Sequence, residues 1–316
     1  MSVDDRRLAA KPAQRRTSSA PISRLGRFTW PYLLLAPTVV LLFVFTLYPL
    51  AQGIWMSLFT RGIVVVPQVE STHPVFVGLD NFIHLLDDAN FRVALLKTLG
   101  FVVVAVPLQL VVSLGMAVLL APQTRTYAIV RTIVFFPSMI SMLIIGVIWA
   151  WLFGRNNGLI NYILSLFGID GVPWLENEVL AQVAVIIVWV WGGAGFNMMV
   201  LIAGLTAIPR DLYEAAAIDN TSNWRQFTHI TLPLLQPSIV VVVVLGIIDA
   251  FKVYELVVSL TTGGPGRATV YLIQNIYETA FNTTNQAGVA AAQSVVLFVI
   301  LLALTILQLR FARKRQ

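Results

Sequence analysis

Long apolar stretches bounded by charges recur six times along the chain. Between Arg27 and Arg61 lie 33 residues without a charge, including Tyr32–Leu35, Val39–Phe45 and Ile54–Phe59. Further charge-free windows follow at Thr98–Thr124, Thr132–Gly154, Val179–Pro209, Ile230–Ile248 and Thr279–Leu309. About 20 apolar residues in a helix cross a hydrocarbon layer roughly 30 Å thick, at about 1.5 Å per residue. The pattern predicts an all-α integral membrane protein with six transmembrane helices, at approximately 30–59, 98–120, 132–154, 179–205, 230–258 and 286–309. These spans make one membrane domain over 28–312. A polar connection at 208–233 separates spans four and five.

Details at the window edges refine the picture. Trp30, Tyr48, Tyr127, Trp149 and Trp151 sit near span ends, where aromatic rings favour the headgroup region, whereas Trp189 and Trp191 fall in mid-window. Pro37, Pro49, Pro107 and Pro137 are expected to interrupt their helices. The first window far exceeds a 7 to 15 residue signal core and is read as a retained span; Thr17-Ser18-Ser19 after Arg15-Arg16 argues against a twin-arginine signal. Residues 1–27 mix Arg, Ala, Ser and Pro without helical periodicity, which predicts a disordered tail.

Composition agrees with the pattern. The 316 residues are 58% hydrophobic and 11% charged, too few charges to cover a water-facing globule. The net charge of +6 raises nucleic acid as a partner, but no basic face interleaved with aromatics accompanies it, and none is expected. The charge is instead unevenly placed. With six spans, the side bearing both termini holds 15 of the 21 basic residues and five of the 15 acidic ones. Basic residues favour the cytoplasmic side, so both termini and the 208–233 loop are expected in the cytoplasm, and segments 61–97, 155–178 and 249–287 outside. The predicted location is the cytoplasmic membrane, multi-pass, with the lipid bilayer as a partner.

Reactive chemistry is sparse. There is no cysteine, which excludes disulfides and thiolate chemistry. His73, His84 and His229 lack metal-ligand spacing, so no metal site is predicted. None of Lys11, Lys97, Lys252 and Lys314 sits in a phosphate loop, and Gly263-Gly264-Pro265-Gly266 lacks the strand-to-helix setting of one; it predicts a turn. No catalytic constellation is found, and the chain is read as a non-enzyme.

Two regions carry candidate chemistry. Span four holds Trp189-Val190-Trp191-Gly192-Gly193-Ala194-Gly195-Phe196-Asn197, where small residues permit close helix approach and Trp189, Trp191 and Asn197 offer stacking and hydrogen bonding to a hydroxylated solute. Two residues apart, the tryptophans point to different faces of a helix. Span five runs into Asp249-Ala250-Phe251-Lys252-Val253-Tyr254-Glu255; if helical, Asp249 and Lys252 can pair on one face, and Lys252, Tyr254 and Glu255 join the pathway candidates. Gln109 and Gln293 are further polar candidates within spans. The second region is the loop Ile208-Pro209-Arg210-Asp211-Leu212-Tyr213-Glu214-Ala215-Ala216-Ala217-Ile218-Asp219-Asn220. Pro209, the acidic Asp211 and Glu214, and the alanine run predict a short helix that stops at Asn220, a residue tolerant of the left-handed conformation. A second short helix through Trp224 and Phe227 is expected to end before Pro233. Small alanines beside a charge suit a docking helix.

That loop resembles the transmembrane permease subunits of binding-protein-dependent ABC importers, in the sugar, polyol and glycerol-phosphate branch, a type I, maltose-transporter-like group. Glu214, Ala215, Ala216, Ile230, Leu232 and Pro233 match the family's signature, and Asn220 stands at its glycine position. Ala36-Pro37, Tyr48-Pro49, Gly78-Leu79-Asp80-Asn81-Phe82 and Leu260-Thr261-Thr262-Gly263-Gly264-Pro265 extend the resemblance over most of the chain. It implies a half-transporter that binds no cofactor itself. Glu214, Ala215, Ala216, Asp219 and Asn220 would couple to a separate dimer of ATPase subunits that uses ATP and Mg2+. A second homologous permease and an extracytoplasmic solute-binding protein would complete the assembly. A self-sufficient secondary transporter or channel would share the spans but not the coupling loop; a membrane enzyme would need a reactive site.

Overall fold

The computed structural model describes residues 24–60, 64–66, 69–71, 75–169, 171–283 and 286–313. The chain divides into two compact units, Met1–Gln52 and Gly53–Gln316, where the sequence suggests one domain from residue 28. Residues 1–23 of the predicted tail lie outside the described residues, and the last four of that tail are already helical. Helix α1 (Arg24–Leu42) passes through a π-helical turn (Phe43–Leu47) into α2 (Tyr48–Met56). Pro37 thus sits inside a continuous helix, and Pro49 just after the widened turn.

Beyond α2 come two antiparallel two-stranded ladders, β1 (Phe59–Thr60) with β4 (Val75–Phe76) and β2 (Val64–Val66) with β3 (Val69–Ser71). Asn81 at the start of α3 (Asp80–Asp87) donates to the carbonyls of Ser57 (2.8 Å) and Phe59 (3.1 Å), fixing this corner. Asp88 then caps α4 (Ala89–Leu120) by accepting from the Asn90 amide. This helix begins nine residues before the predicted span and keeps its course through Pro107. One missing backbone bond is tolerated where the rest of the ladder is intact.

The predicted third span is two helices. Helix α5 (Arg125–Phe135) and the 3-10 turn Phe136–Met139 around Pro137 meet α6 (Met142–Leu152) at a 100° bend. Of the four prolines flagged in the sequence, Pro137 alone stands at such a bend. Short α7 (Leu159–Ser165) precedes α8 (Glu178–Thr206), which fits its predicted span to within one residue. The predicted fifth span is also bent, by 67°, between Asn223–Leu234 and Gln236–Phe251. Among the described residues, four helices are long and apolar enough to cross a membrane, and up to six spans result if each bent pair is one.

The core forms where α4 packs on α8. The inward face of α4 is Phe91, Ala94, Thr98, Phe101, Val102, Ala105, Val106, Gln109, Ser113 and Ala117, a stripe built on three- and four-residue steps. Six of these ten are small or polar, whereas Val103, Val104, Val111 and Leu119 lie exposed on the outside. In water the preference would be reversed; for a helix surrounded by lipid, apolar side chains gain nothing by facing inward, and small ones allow close packing.

Candidate functional site

After α8, a tight connection leads to α9 (Asp211–Ile218). Asn220 takes φ 51°, the left-handed conformation expected of it. The Thr221 amide donates to the Ala216 carbonyl (2.9 Å) and the Asn220 amide to that of Ala217 (3.1 Å), so two last-turn carbonyls are satisfied by main chain alone. Helix α10 (Asn223–Gln226) continues through a π-helical turn (Phe227–Thr231) into α11 (Leu232–Leu234). The expected stop before Pro233 does not occur: proline occupies a first-turn position, where its missing N–H is least costly.

This loop is held inward at two points. The Tyr213 hydroxyl and Thr231 Oγ1 share a hydrogen bond of 2.9 Å, and Ala216 is buried. Glu214, Ala215, Asp219 and Asn220 are exposed. Ile218 is 82% and Trp224 is 74% exposed, both large apolar side chains. The result is an exposed ridge on which the carboxylates of Asp211, Glu214 and Asp219 stand beside apolar groups. Of the predicted coupling residues, Ala216 alone faces inward.

A second feature is concave. A cavity of about 340 Å³ is bounded by Gln109 from α4, Ser138 and Ile140 from the bend before α6, and Trp189, Gly192, Gly193, Phe196 and Asn197 from α8. Helix α12 (Gln236–Phe251) adds Leu245, Gly246 and Asp249, and the stretch leading into α13 (Glu255–Leu260) adds Lys252, Tyr254 and Glu255. The glycines make this geometry possible. A Cβ at Gly193 would collide with the Gln109 amide, and one at Gly195 with the Val134 carbonyl and, at 2.8 Å, with Phe135 Cα. Helices α5 and α8 therefore approach backbone to backbone.

The cavity gathers Trp189, Asn197, Lys252, Tyr254 and Glu255 from the predicted pathway set but not Trp191. Trp189 is buried edge-on against Phe101 at 5.5 Å, while Trp191 is 43% exposed and packs on Trp149 at 5.4 Å. The two-residue spacing explains the split. Asn197 is only 6% exposed. The continuous helix assumed through residue 255 is broken: Lys252 is the C-cap of α12 and Tyr254 the N-cap of α13. Among the described residues, no ion pair joins Asp249 or Glu255 to Lys252; the ion pairs are Arg155–Glu176 and Arg267–Glu278. Three charged side chains thus stand open around the cavity wall, with Ser141 Oγ donating to Glu255 across a long 3.5 Å. Ser138, Phe196 and Gly246 were missed because nothing in their local sequence distinguishes them.

The wall is braced from the side. The turn after α13 carries Thr262, Gly263, Gly266 and Arg267 at positive φ, the turn expected at the Gly-Gly-Pro-Gly run. Lys97 Nζ donates to the Arg267 carbonyl (2.7 Å), and the Leu272 amide, at the start of α14 (Leu272–Tyr277), donates to Thr98 Oγ1 (2.9 Å). Tyr271 packs on Phe101, and burial pushes its phenol above the usual tyrosine range. Gln293, on α15 (Ala287–Arg313), is fully buried and accepts from Asn275, so it serves the brace rather than the cavity. Among the described residues there is no His, Cys, Asp or Glu cluster able to hold a metal ion.

A bent-helix bundle with a polar central cavity and a capped external loop defines a membrane permease component. Residues 109–316 match the family described as binding-protein-dependent transport system inner membrane component, and the chain belongs to that family. It is 36% identical over 287 residues to the trehalose/maltose transport system permease protein MalF of Thermococcus litoralis, covering 90% of this chain and 94% of that protein. To the sn-glycerol-3-phosphate transport system permease protein UgpA of Escherichia coli it is 34% identical over 302 residues, covering 95% and 98%. Its fold is shared, with a TM-score of 0.77 at 23% identity over 91% of this chain and 96% of the other, by a bacterial ABC transporter for import of the acidic polysaccharide alginate. The same transporter is also known in complex with an alginate pentasaccharide-bound periplasmic protein. The chain is a multi-pass, non-catalytic permease subunit of an ABC importer.

Proposed function

We propose that this chain forms half of the translocation pathway for a sugar, polyol or related hydroxylated solute, and is coupled through the Glu214 loop to a separate ATPase. The observation that carries the reading is the convergence on one cavity of the Trp189 ring, the Asn197 amide, the Tyr254 phenol and the open charges of Asp249, Lys252 and Glu255. Ring faces and hydrogen-bonding groups together suit a polyhydroxylated solute. The relatives named for trehalose/maltose and for glycerol phosphate support that class. A second homologous permease supplies the other half. An extracytoplasmic binding protein delivers the solute, as in the alginate complex. A dimer of ATPase subunits uses ATP and Mg2+, and this chain binds neither. The excess of basic residues orients both termini and the loop toward the cytoplasm.

At the loop, Glu214, Ala215 and Asp219 form the docking ridge, Asn220 ends it and the buried Ala216 seats it. The test is Glu214→Ala in the assembled complex. Solute-stimulated ATPase and uptake should both fall by about tenfold, equivalent to roughly 1.4 kcal/mol of coupling, with the complex still assembled. Uptake by this chain alone, indifferent to ATP and to the substitution, would overturn the reading.

A further inference from the structure

Helix α7 lies between α6 and α8, and its two sides differ. On the inner side Asn161 is buried and acts as a hub: Nδ2 donates to the carbonyls of Arg155 (3.0 Å) and Val172 (2.9 Å), and Oδ1 accepts from the Trp174 indole (3.1 Å). On the outer side Leu159, Tyr162, Ile163, Leu166 and Phe167 are all exposed, Phe167 at 77%, and Ile169 follows just beyond. Those five positions recur at three and four residues, so they form one apolar stripe. No charged residue falls between Arg155 and Asp170.

We infer that this stripe is an interfacial anchor, embedded in the bilayer at the boundary between headgroups and acyl chains. Three observations select lipid as the occupant. The stripe continues a surface that already needs lipid: on α6, Leu143, Ile144, Val147, Ile148 and Trp151 are exposed. Among the described residues, the ion pair at the base of the segment is Arg155 with Glu176 at 2.7 Å, half-exposed, as suits a depth that polar headgroups and water reach. Tyr162 in the stripe combines an apolar ring with a hydroxyl, the combination favoured at that depth. A seven-residue helix is too short to span, so it lies along the surface. Through the Asn161 hub, its depth fixes the end of α6 and the approach to α8, two helices that bound the cavity.

The natural absence of cysteine makes the test clean. Single variants Phe167→Cys, Leu166→Cys and Asn157→Cys, each labelled with an environment-sensitive fluorophore, are assembled with the partner subunits in nanodiscs of phosphatidylcholine brominated high on the acyl chains. Labels at 166 and 167 should emit at shorter wavelength and lose most of their intensity to bromine, while that at exposed Asn157 stays unquenched. Emission at 166 and 167 matching that at 157 would overturn the inference, as would a blue shift without bromine quenching, which would assign the stripe to a protein partner. All three labelled positions are exposed, so folding is preserved, and assembled complex on size exclusion verifies it.

Discussion

The α9 loop and the cavity solve opposite problems with the same kinds of residue. In the loop, small side chains leave a ridge bare. Ala215 and Ala217 keep α9 slim, Glu214 and Ile218 project, and the helix is closed by its own main chain at Asn220. In the cavity, small side chains leave a hollow. Gly192 and Gly193 withdraw from the wall so that Gln109, Asn197 and the charges after α12 can face open volume. The ridge is built from one stretch of chain and the hollow from four. Damage to the ridge should therefore stay local, while damage to the hollow should spread.

Gly195→Leu should have the largest effect. It inserts a side chain where α8 meets the backbone of Val134 and Phe135, and the helices must separate. Overpacking of this kind costs about 3 kcal/mol or more, and the yield of folded complex after detergent extraction should collapse. Asn197→Ala should leave assembly intact and raise the uptake KM about fivefold, the loss of roughly one hydrogen bond. Trp191→Ala, outside the cavity, should leave that KM unchanged, and an equal rise for both would erase the distinction between cavity wall and outer face. Tyr213→Phe should lower stability by about 1 kcal/mol through loss of the Thr231 contact, read as a lower unfolding midpoint with uptake largely retained. The smallest effect belongs to Asn220→Gly. The left-handed site accepts glycine, so stability should shift by no more than about 0.5 kcal/mol, whereas Asn220→Ala should cost about 1 kcal/mol.

The same contrast explains what could be read in advance. The loop was legible because its determinants are local: Pro209, two early acids, an alanine run and Asn220 follow one another within a few turns. Helix α8 was legible for its length and lack of charge. The break at Pro137 was flagged by the proline itself, though not its 100° angle; the bend at Leu235 was not, since an apolar window has the same composition whether straight or folded back. Nor was the break at Lys252–Tyr254, whose residues are unremarkable for a helix. Packing decides it, with Ala250, Phe251, Val253 and Leu256 all buried around the turn. Phe196 and Ser138 entered the cavity wall through tertiary position alone. Lys252, Tyr254 and Glu255 stood out as polar groups in an apolar span, and they line the cavity although the helix assumed there is broken.

The closure of α9 by main-chain bonds has a bearing on how such loops can be rewritten. Its stop does not depend on the identity of most side chains, and its inward ties are confined to Tyr213 and Ala216. Glu214, Ala215 and Ile218 are exposed around these ties. On the docking role proposed for this ridge, partner preference can drift, or be recoded by design, at 214, 215 and 218 without retraining the rest of the permease, so that two importers sharing a membrane are kept orthogonal by a handful of letters.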